Sequence, residues 1–376
     1  MISGWRKKGI KFLIWLNILV LSIRKFRNPL LAIKRLKQLS ALRDAYREKH
    51  KIIKYSVTDG RYYYTHNAPG WPSKAFNRYI YHHLGRFDEK RTTSFHTLLF
   101  GITKKCGFKC EHCFEWDNLN KTETLTKRDL TYVIDISHKL GLSQVQFSGG
   151  EPLNRFNDLV EILPMFKGID FWLYTSGYHL SQQKAKQLKK AGFTGVLISL
   201  DHWDPLKHDA FRGKEGSFNW VIKAANNIFE NKMVCCLSLC ATNEFISEEN
   251  LYRYAALARK LKVSFIQILE PQAVGHYAGK NVALTTGNQL LLESFYKKMN
   301  FDPSFINFPS VIYHGFYSRR IGCAGAGKDY LYVDTDGFAH DCPFCQKKNF
   351  NVLQGNVEAM VKTMQNSGCK VYSSCK

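Results

Sequence analysis

The sequence predicts an α/β fold built on a parallel sheet. Six short apolar runs, at 95–102, 145–148, 171–175, 196–200, 234–241 and 265–269, have the length and content of strands. Helical stretches lie between most of them. Residues suited to chemistry follow the strand ends: a cysteine-rich loop after the first, Gly149–Pro152 after the second and Thr175–Gly177 at the third. Strand–helix alternation implies parallel, right-handed β/α units. In parallel barrels the chemistry gathers at the carboxyl ends of the strands. The chain of 376 residues is 45% hydrophobic and 14% aromatic, enough for one large core with appendages.

The N-terminal arm comes first. Residues 9–23 are apolar apart from Lys11, Asn17 and Ser22. As a helix they would span about 22 Å, short of the ~30 Å hydrocarbon core of a bilayer. Arg6, Lys7 and Lys8 precede the run as in a signal peptide. No small-residue cleavage site follows, however, and Arg24, Lys25 and Arg27 arrive at once, which opposes translocation. Asn28 and Pro29 read as an N-cap and a first helical residue. Beyond them Leu30, Ile33, Leu36, Leu39, Leu42 and Tyr46 fall at helical spacing among Lys34, Arg35, Lys37, Arg43 and Arg47, the pattern of a basic amphipathic helix. Residues 1–54 hold fifteen Lys/Arg against two acids, thirteen of the chain's net +23 charges. The arm is expected to be a monotopic anchor on an anionic cytoplasmic membrane face. The competing expectation is that both helices pack on the protein's own core.

Residues 51–94 are rich in Tyr and His, and Asp59-Gly60 predicts a hairpin turn between 53–57 and 61–65. Among the later helices, 126–140 has Thr126 as N-cap, Asp129 three residues on and Gly141 past its end. Further helices are expected at 181–191, 219–231 and 248–261.

There are 11 cysteines. The size of the chain and the odd number in the first group argue against a secreted disulfide framework and for reduced thiols in the cytoplasm. That first group is Cys106, Cys110 and Cys113: three, not four. Structural zinc normally takes four ligands, and a cubane 4Fe–4S cluster offers four irons to four thiolates. Three thiolates leave one iron open. Cys235, Cys236 and Cys240 lie in an apolar strand whose successive residues face opposite ways, so they read as small buried hydrophobes. Thr242 and Asn243, at that strand's end, are candidate pocket residues. Near the end lie Cys323, Cys342, Cys345, Cys369 and Cys375, with a turn at Asp336-Gly337 that would bring Cys323 towards Cys342 and Cys345.

The run Cys106-Gly-Phe-Lys-Cys110-Glu-His-Cys113 resembles the signature of the radical S-adenosylmethionine enzymes. So, in order, do Gly149-Gly150-Glu151-Pro152, Tyr174-Thr175-Ser176-Gly177 (with Ser176 where Asn is frequent), Ile198-Ser199-Leu200-Asp201, His208-Asp209 and Arg212-Gly213. The resemblance covers residues 95–275. It implies a partial (β/α)6 barrel and a 4Fe–4S cluster on Cys106, Cys110 and Cys113 whose open iron binds S-adenosylmethionine. Reductive cleavage would release a 5′-deoxyadenosyl radical, which abstracts hydrogen from a peptide, lipid-linked or small-molecule substrate. By the same resemblance Gly149, Gly150, Glu151 and Pro152 approach the ligand and Glu151 fixes its ammonium. Thr175 and Ser176 stand at the third strand's end, His112 lies against adenine, and Ser199, Asp201 and Arg212 lie near ribose and carboxylate.

The C-terminal cysteines resemble a SPASM/twitch region, short of the full pattern, which implies one auxiliary 4Fe–4S cluster on four of Cys323, Cys342, Cys345, Cys369 and Cys375. The expected organisation is an N-terminal helical segment (1–50), an accessory β-containing segment (51–94), a radical SAM core (95–305) and an auxiliary-cluster region (306–376). The implied reductant is a flavodoxin or ferredoxin. The rival reading is a non-catalytic zinc-binding module, with His112 as fourth ligand, that uses its basic arm on nucleic acid or an anionic membrane. Nucleic acid is disfavoured because the aromatic residues follow apolar periodicities and do not alternate with basic ones. An iron–sulfur electron carrier is a weaker rival, since it needs neither the Gly149–Pro152 turn nor a large barrel.

Overall fold

All seven residues of the strand Val234–Cys240 are buried, as befits a parallel strand covered on both faces. It sits third from one edge of a ten-stranded sheet. The computed structural model describes residues 1–88 and 93–367. A two-residue strand β1 (Ile2–Ser3) leads into helices α1 (Gly4–Phe26) and α2 (Pro29–Tyr46). A hairpin, β2 (Lys54–Thr58) and β3 (Arg61–Tyr63), and helix α3 (Lys74–Gly85) follow. The repeating units then run β4 (Thr97–Gly101), α4 (Lys127–Lys139), β5 (Gln144–Ser148), α5 (Phe156–Ile162), β6 (Asp170–Thr175), α6 (Gln182–Ala191) and β7 (Phe193–Ser199). They continue with α7 (Pro205–Arg212), α8 (Ser217–Glu230), β8 (Val234–Cys240), α9 (Glu248–Lys260), β9 (Phe265–Leu269), α10 (Thr286–Phe301) and β10 (Ser310–Tyr313). The chain closes with α11 (His314–Ile321), β11 (Tyr330–Val333), β12 (Phe338–His340), β13 (Phe350–Asn351) and α12 (Val357–Ser367).

The main sheet has the order β10-β9-β8-β7-β6-β5-β4-β11-β12-β13. From β11 through β4 to β10 every pairing is parallel. The six expected units are all present, and β10 adds a seventh strand at one edge. The sheet stays open, since β10 and β11 are not neighbours. Residues 306–367 extend both edges of the main sheet: β10 on one side, and β11, β12 and β13 on the other.

Period-2 alternation sorts the two faces. Leu98, Phe100, Val145, Phe147, Leu173, Val196, Ile198 and Leu237 face the helices in the main core. The other face carries Gln146, Tyr174, Ser199, Ser238 and Gln267, which line a cavity. At its floor Tyr63 packs with Trp172, Leu197, Cys236, Phe265 and Ile312, so the hairpin of the 51–94 segment plugs that face. The turn Asp59-Gly60 falls where the sequence puts it.

Local signals set the helix ends. Thr126 and Asp129 form a reciprocal capping box on α4, and the Asn28 side chain accepts the Leu31 N–H at 3.1 Å to start α2. The apolar residues of α2 do not make one stripe. A spacing of three drifts about 60° backwards per step, so Leu30 and Ile33 are exposed while Leu36 and Leu39 are partly buried. Helix α1 packs Ile14, Ile18 and Leu21 against Phe76, Ile80 and Leu84 of α3. The three helices span the gap between the sheet edges: α2 packs on α11, and His82 and Arg86 at the end of α3 pair with Asp329, just before β11. The expectation that the arm packs on the protein's own core holds for one side of it. One face of the helices packs on the protein, while Trp5 (78% exposed), Phe12 (58%) and Leu30 (80%) remain in solvent. No described helix is long and apolar enough to cross a membrane.

Candidate active site

The loop after β4 carries Cys106, Cys110 and Cys113, and three backbone straps hold it. The first is the Gly149-Gly150-Glu151 turn after β5. Gly150 N–H donates to Thr103 O (2.7 Å) and Glu151 N–H to Lys105 O (2.8 Å). A Cβ at Gly149 would lie 2.5 Å from Thr103 O, and one at Gly150 2.4 Å from Lys105 O; only glycine permits this approach. The second strap is the end of α7, where Lys109 N–H donates to Arg212 O (3.2 Å) and Glu111 N–H to Phe211 O (3.1 Å). The third is Gly275-His276. The His276 N–H donates to Cys113 O (2.9 Å), its Nδ1 lies 2.9 Å from Cys110 O, and its ring stacks on Trp116 at 3.8 Å.

Among the described residues, one His/Cys/Asp/Glu trio is compact enough for a single ion, with all ligand atoms within 4.8 Å: His82, His96 and Asp329. Arg86 is ion-paired with that Asp329, so the negative charge there is already met. The three motif sulfurs are spread more widely. Tetrahedral zinc would hold them about 3.8 Å apart, so the loop fits a larger iron–sulfur cluster better than a zinc knuckle. Burial pushes the thiols of Cys106 and Cys113 up to about 12. Only a bound cation would make them thiolates at neutral pH.

Around the loop lie the residues expected to meet S-adenosylmethionine. Glu151 is 4% exposed. Its Oε1 accepts Leu153 N–H (3.1 Å) and Thr175 Oγ1 (2.7 Å), and its Oε2 accepts Ser176 N–H (2.9 Å) and Ser176 Oγ (2.6 Å). About four acceptor positions exist on a carboxylate, so Glu151 is saturated. It clamps the end of β5 to the end of β6. Pro152 is buried as the first residue of a short 3-10 turn and stands behind the cavity wall.

Asp201 and Arg212 form a buried pair, Nε to Oδ2 2.7 Å. The N–H is not directed at the carboxylate, since neither atom completes a hydrogen bond; the contact is ionic. Asp201 Oδ1 accepts the Cys240 N–H (3.0 Å), and Arg212 Nη1 reaches Cys110 Sγ (3.3 Å). Burial opposes ionisation of Asp201, but Arg212, His112 and His208 outweigh it and hold its pKa below the usual value. His112 stacks on Phe211 at 5.1 Å. Burial lowers its pKa to about 4, and its Nδ1 is buried without a partner. The Tyr174 hydroxyl is equally unpartnered. Both line the cavity, so groups able to meet a polar ligand already face it.

That cavity of 1370 Å³ takes in Cys106, Cys110, His112 and Cys113, the turn residues Gly149, Gly150 and Glu151, then Thr175, Ser176, Ser199, Asp201 and Arg212. Cys323, Cys342 and Cys345 line it too. Cys369 and Cys375 lie outside the described residues. The two cysteine loops meet through Phe114 and Phe344 (6.1 Å) and through the Tyr332 hydroxyl, which donates to Glu115. The tip of the β11–β12 hairpin is tied to the first loop by Lys104 Nζ on Asp336 Oδ1 (2.5 Å). Thr242 and Asn243 do not reach the cavity; Asn243 instead accepts Thr285 N–H (3.1 Å) and donates to Ala283 O (2.9 Å) in a loop. Sequence reading missed Gln146, Gln267 and His314. The signal for Gln146 and Gln267 is a polar residue on one face of an otherwise apolar strand; His314 opens α11 just past β10.

A model of the radical SAM superfamily matches residues 100–255. The chain is 27% identical over 270 residues to a probable GTP 3′,8-cyclase of Saccharolobus solfataricus, covering 68% of this chain and 85% of that protein. It is 27% identical over 194 residues to a GTP 3′,8-cyclase of Desulforamulus reducens, covering 48% of this chain but only 59% of the cyclase. Two solved structures share its fold. Streptococcus suis SuiB bound to precursor peptide SuiA has a TM-score of 0.58 at 15% identity, covering 91% of this chain and 80% of that one. Native anSMEcpe with bound AdoMet has a TM-score of 0.56 at 17% identity, covering 74% and 83%. The family implies a 4Fe–4S cluster and S-adenosylmethionine, and the thiol trio and the unpartnered polar groups beside it fit both. With that fit and the matched segment spanning the cysteine loop and the strands beside it, residues 100–255 of this chain form a radical SAM domain.

Proposed function

We propose that the chain binds S-adenosylmethionine at the open iron of a cluster on Cys106, Cys110 and Cys113 and uses it to take a hydrogen atom from an unactivated carbon. The observation that carries this reading is the wide thiol trio on a loop strapped from three sides. When bound, the cluster and S-adenosylmethionine supply the electron transfer and the 5′-deoxyadenosyl radical. The protein supplies position and shielding. Gly149 and Gly150 keep side chains off the ligand. Glu151 helps fix the ammonium at the β5 and β6 ends that it clamps together. His112 offers a neutral ring and a vacant nitrogen, and Arg212 and Asp201 hold Cys110 from behind. Cys323, Cys342 and Cys345, with a ligand from Cys369 or Cys375, are proposed to hold one auxiliary cluster in a SPASM/twitch-like region. A flavodoxin or ferredoxin is the proposed electron donor.

The substrate is a peptide, a lipid-linked molecule or a small molecule. The names of the cyclase relatives favour a nucleotide as the second reading. The exposed apolar side chains of α1 and α2 beside their basic residues support apposition to a cytoplasmic membrane face. The test of the reaction is anaerobic reconstitution with iron and sulfide, reduction, and addition of S-adenosylmethionine. The wild type should form 5′-deoxyadenosine, and Cys106→Ala, Cys110→Ala and Cys113→Ala should each form none. Product from any of these variants at the wild-type rate would refute the assignment.

A further inference from the structure

The cavity that holds the cysteines has another end, at the helical hairpin. There α1, the end of α2 and the connection after it contribute Lys7, Lys8, Lys11, Arg43, Arg47 and Lys51 to its wall. One acid, Asp44, stands among these cations and pairs with Arg43 (2.8 Å). Glu48 is committed elsewhere, to Lys297 (2.7 Å) and Arg320 (2.5 Å). Burial and the neighbouring Lys11, Arg47 and Lys8 lower the Lys7 pKa, and burial with Arg43, Lys51 and Arg47 lowers that of Lys11. Like charges held this close repel until an anion neutralises them.

Beside the cations α1, α2 and α3 give the cavity an apolar wall: Ile14, Ile18, Leu36, Leu39, Phe76 and Ile80. One continuous space thus joins a cationic rim, an apolar channel and the cysteine loop. Its 1370 Å³ exceeds the roughly 300–1,000 Å³ of a small-molecule pocket, which leaves room for a substrate beside the cofactor. A compact polar substrate would use the rim and leave the apolar wall wet. An uncharged lipid would leave the cations unneutralised. Outside, Trp5, Phe12 and Leu16 of the same hairpin face solvent, as an interfacial helix in contact with lipid would.

We infer that the substrate is a phosphate-bearing amphiphile taken from the membrane, its head at Lys7, Lys11 and Arg47 and its apolar body along α1 and α2 towards the cysteine loop. This rests on the reaction proposed above. The test uses full-length, anaerobically reconstituted enzyme and calorimetric titration with dodecyl phosphate, dodecanol, inorganic phosphate and GTP, each below any micelle concentration. Dodecyl phosphate should bind at least about tenfold tighter than each of the others. Lys11→Glu/Arg47→Glu should weaken it by at least about tenfold, while the charge-conserving Lys11→Arg/Arg47→Lys should stay within about threefold of wild type. If the reversed pair fails to fold, Lys11→Gln serves in its place and should weaken binding by about threefold. Equal binding of dodecanol would show that no head group is read, and equal binding of phosphate or GTP that no tail is read. Either result, or unchanged affinity in the reversed or neutralised variants, overturns the inference. Wild-type 5′-deoxyadenosine formation is scored separately: its presence without a preference for dodecyl phosphate refutes only the substrate class, and its absence refutes the reaction.

Discussion

Glu151 shows how a residue can be found by its motif while its hydrogen bonds stay hidden. The Gly-Gly-Glu-Pro run makes it conspicuous, and the resemblance assigns it to the ligand's ammonium. In the folded chain its oxygens accept from Leu153, Thr175 and Ser176, so it also clamps two strand ends together. The buried histidines were legible as residues but not as energetic terms. His66 packs on Trp172 with both ring nitrogens unpartnered, and burial lowers its pKa to about 3. Burial lowers His208 and His314 to about 4. Unfolded, each takes a proton below about pH 6.5. The unfolded chain therefore binds more protons than the folded one between pH 6.5 and 4, and stability must fall as pH drops through that window. The slope is about 1.4 kcal/mol per pH unit for each group. Urea midpoints of the apoprotein at pH 7, 6 and 5 should decline in order; a flat series would show that these histidines are solvated.

At the scale of elements, the sequence shows whatever depends on neighbours in the chain. The Thr126–Asp129 box, the Asp59-Gly60 hairpin and the six core strands are all local patterns, and all are present. Boundaries moved where tertiary pairing decides: β7 begins at Phe193 because Phe193 pairs with Phe171 across a register shift, three residues before the apolar run begins. Strand β10 was missed because its four residues gain strand character only beside β9. The strap at Gly275 was also invisible, since it depends on contact with Cys113 some 160 residues earlier. A Cβ there would stand 2.2 Å from Cys113 O, on a backbone with φ +57°. Gly275→Ala should push the cysteine loop aside, with a loss of about 1–3 kcal/mol in stability. Iron per chain after reconstitution should fall well below wild type while the far-ultraviolet dichroism is kept. Full iron loading would mean that this strap does not set the loop.

For the whole molecule, the arm and the cysteine-rich end take part in a single architecture. Helices α1 to α3 cover the gap between the sheet edges, and the C-terminal hairpin continues the sheet beside β4. The composition of the arm announced its charge, but not that its inner face would form part of the cavity wall. Its outer face should bind lipid. Full-length protein should sediment with phosphatidylglycerol vesicles at low salt, and Trp5→Glu/Phe12→Glu should reduce the bound fraction by about tenfold. Equal sedimentation of both would leave the arm as a structural cover only.

The proposed chemistry needs a trio of thiols that would leave one iron open. The most direct test is the electron paramagnetic resonance spectrum of the anaerobically reduced protein before and after S-adenosylmethionine. A reduced 4Fe–4S signal that changes on addition, and that Cys110→Ala lacks, is the predicted result. A spectrum indifferent to S-adenosylmethionine, or metal analysis that finds zinc and no iron at Cys106, Cys110 and Cys113, would contradict it.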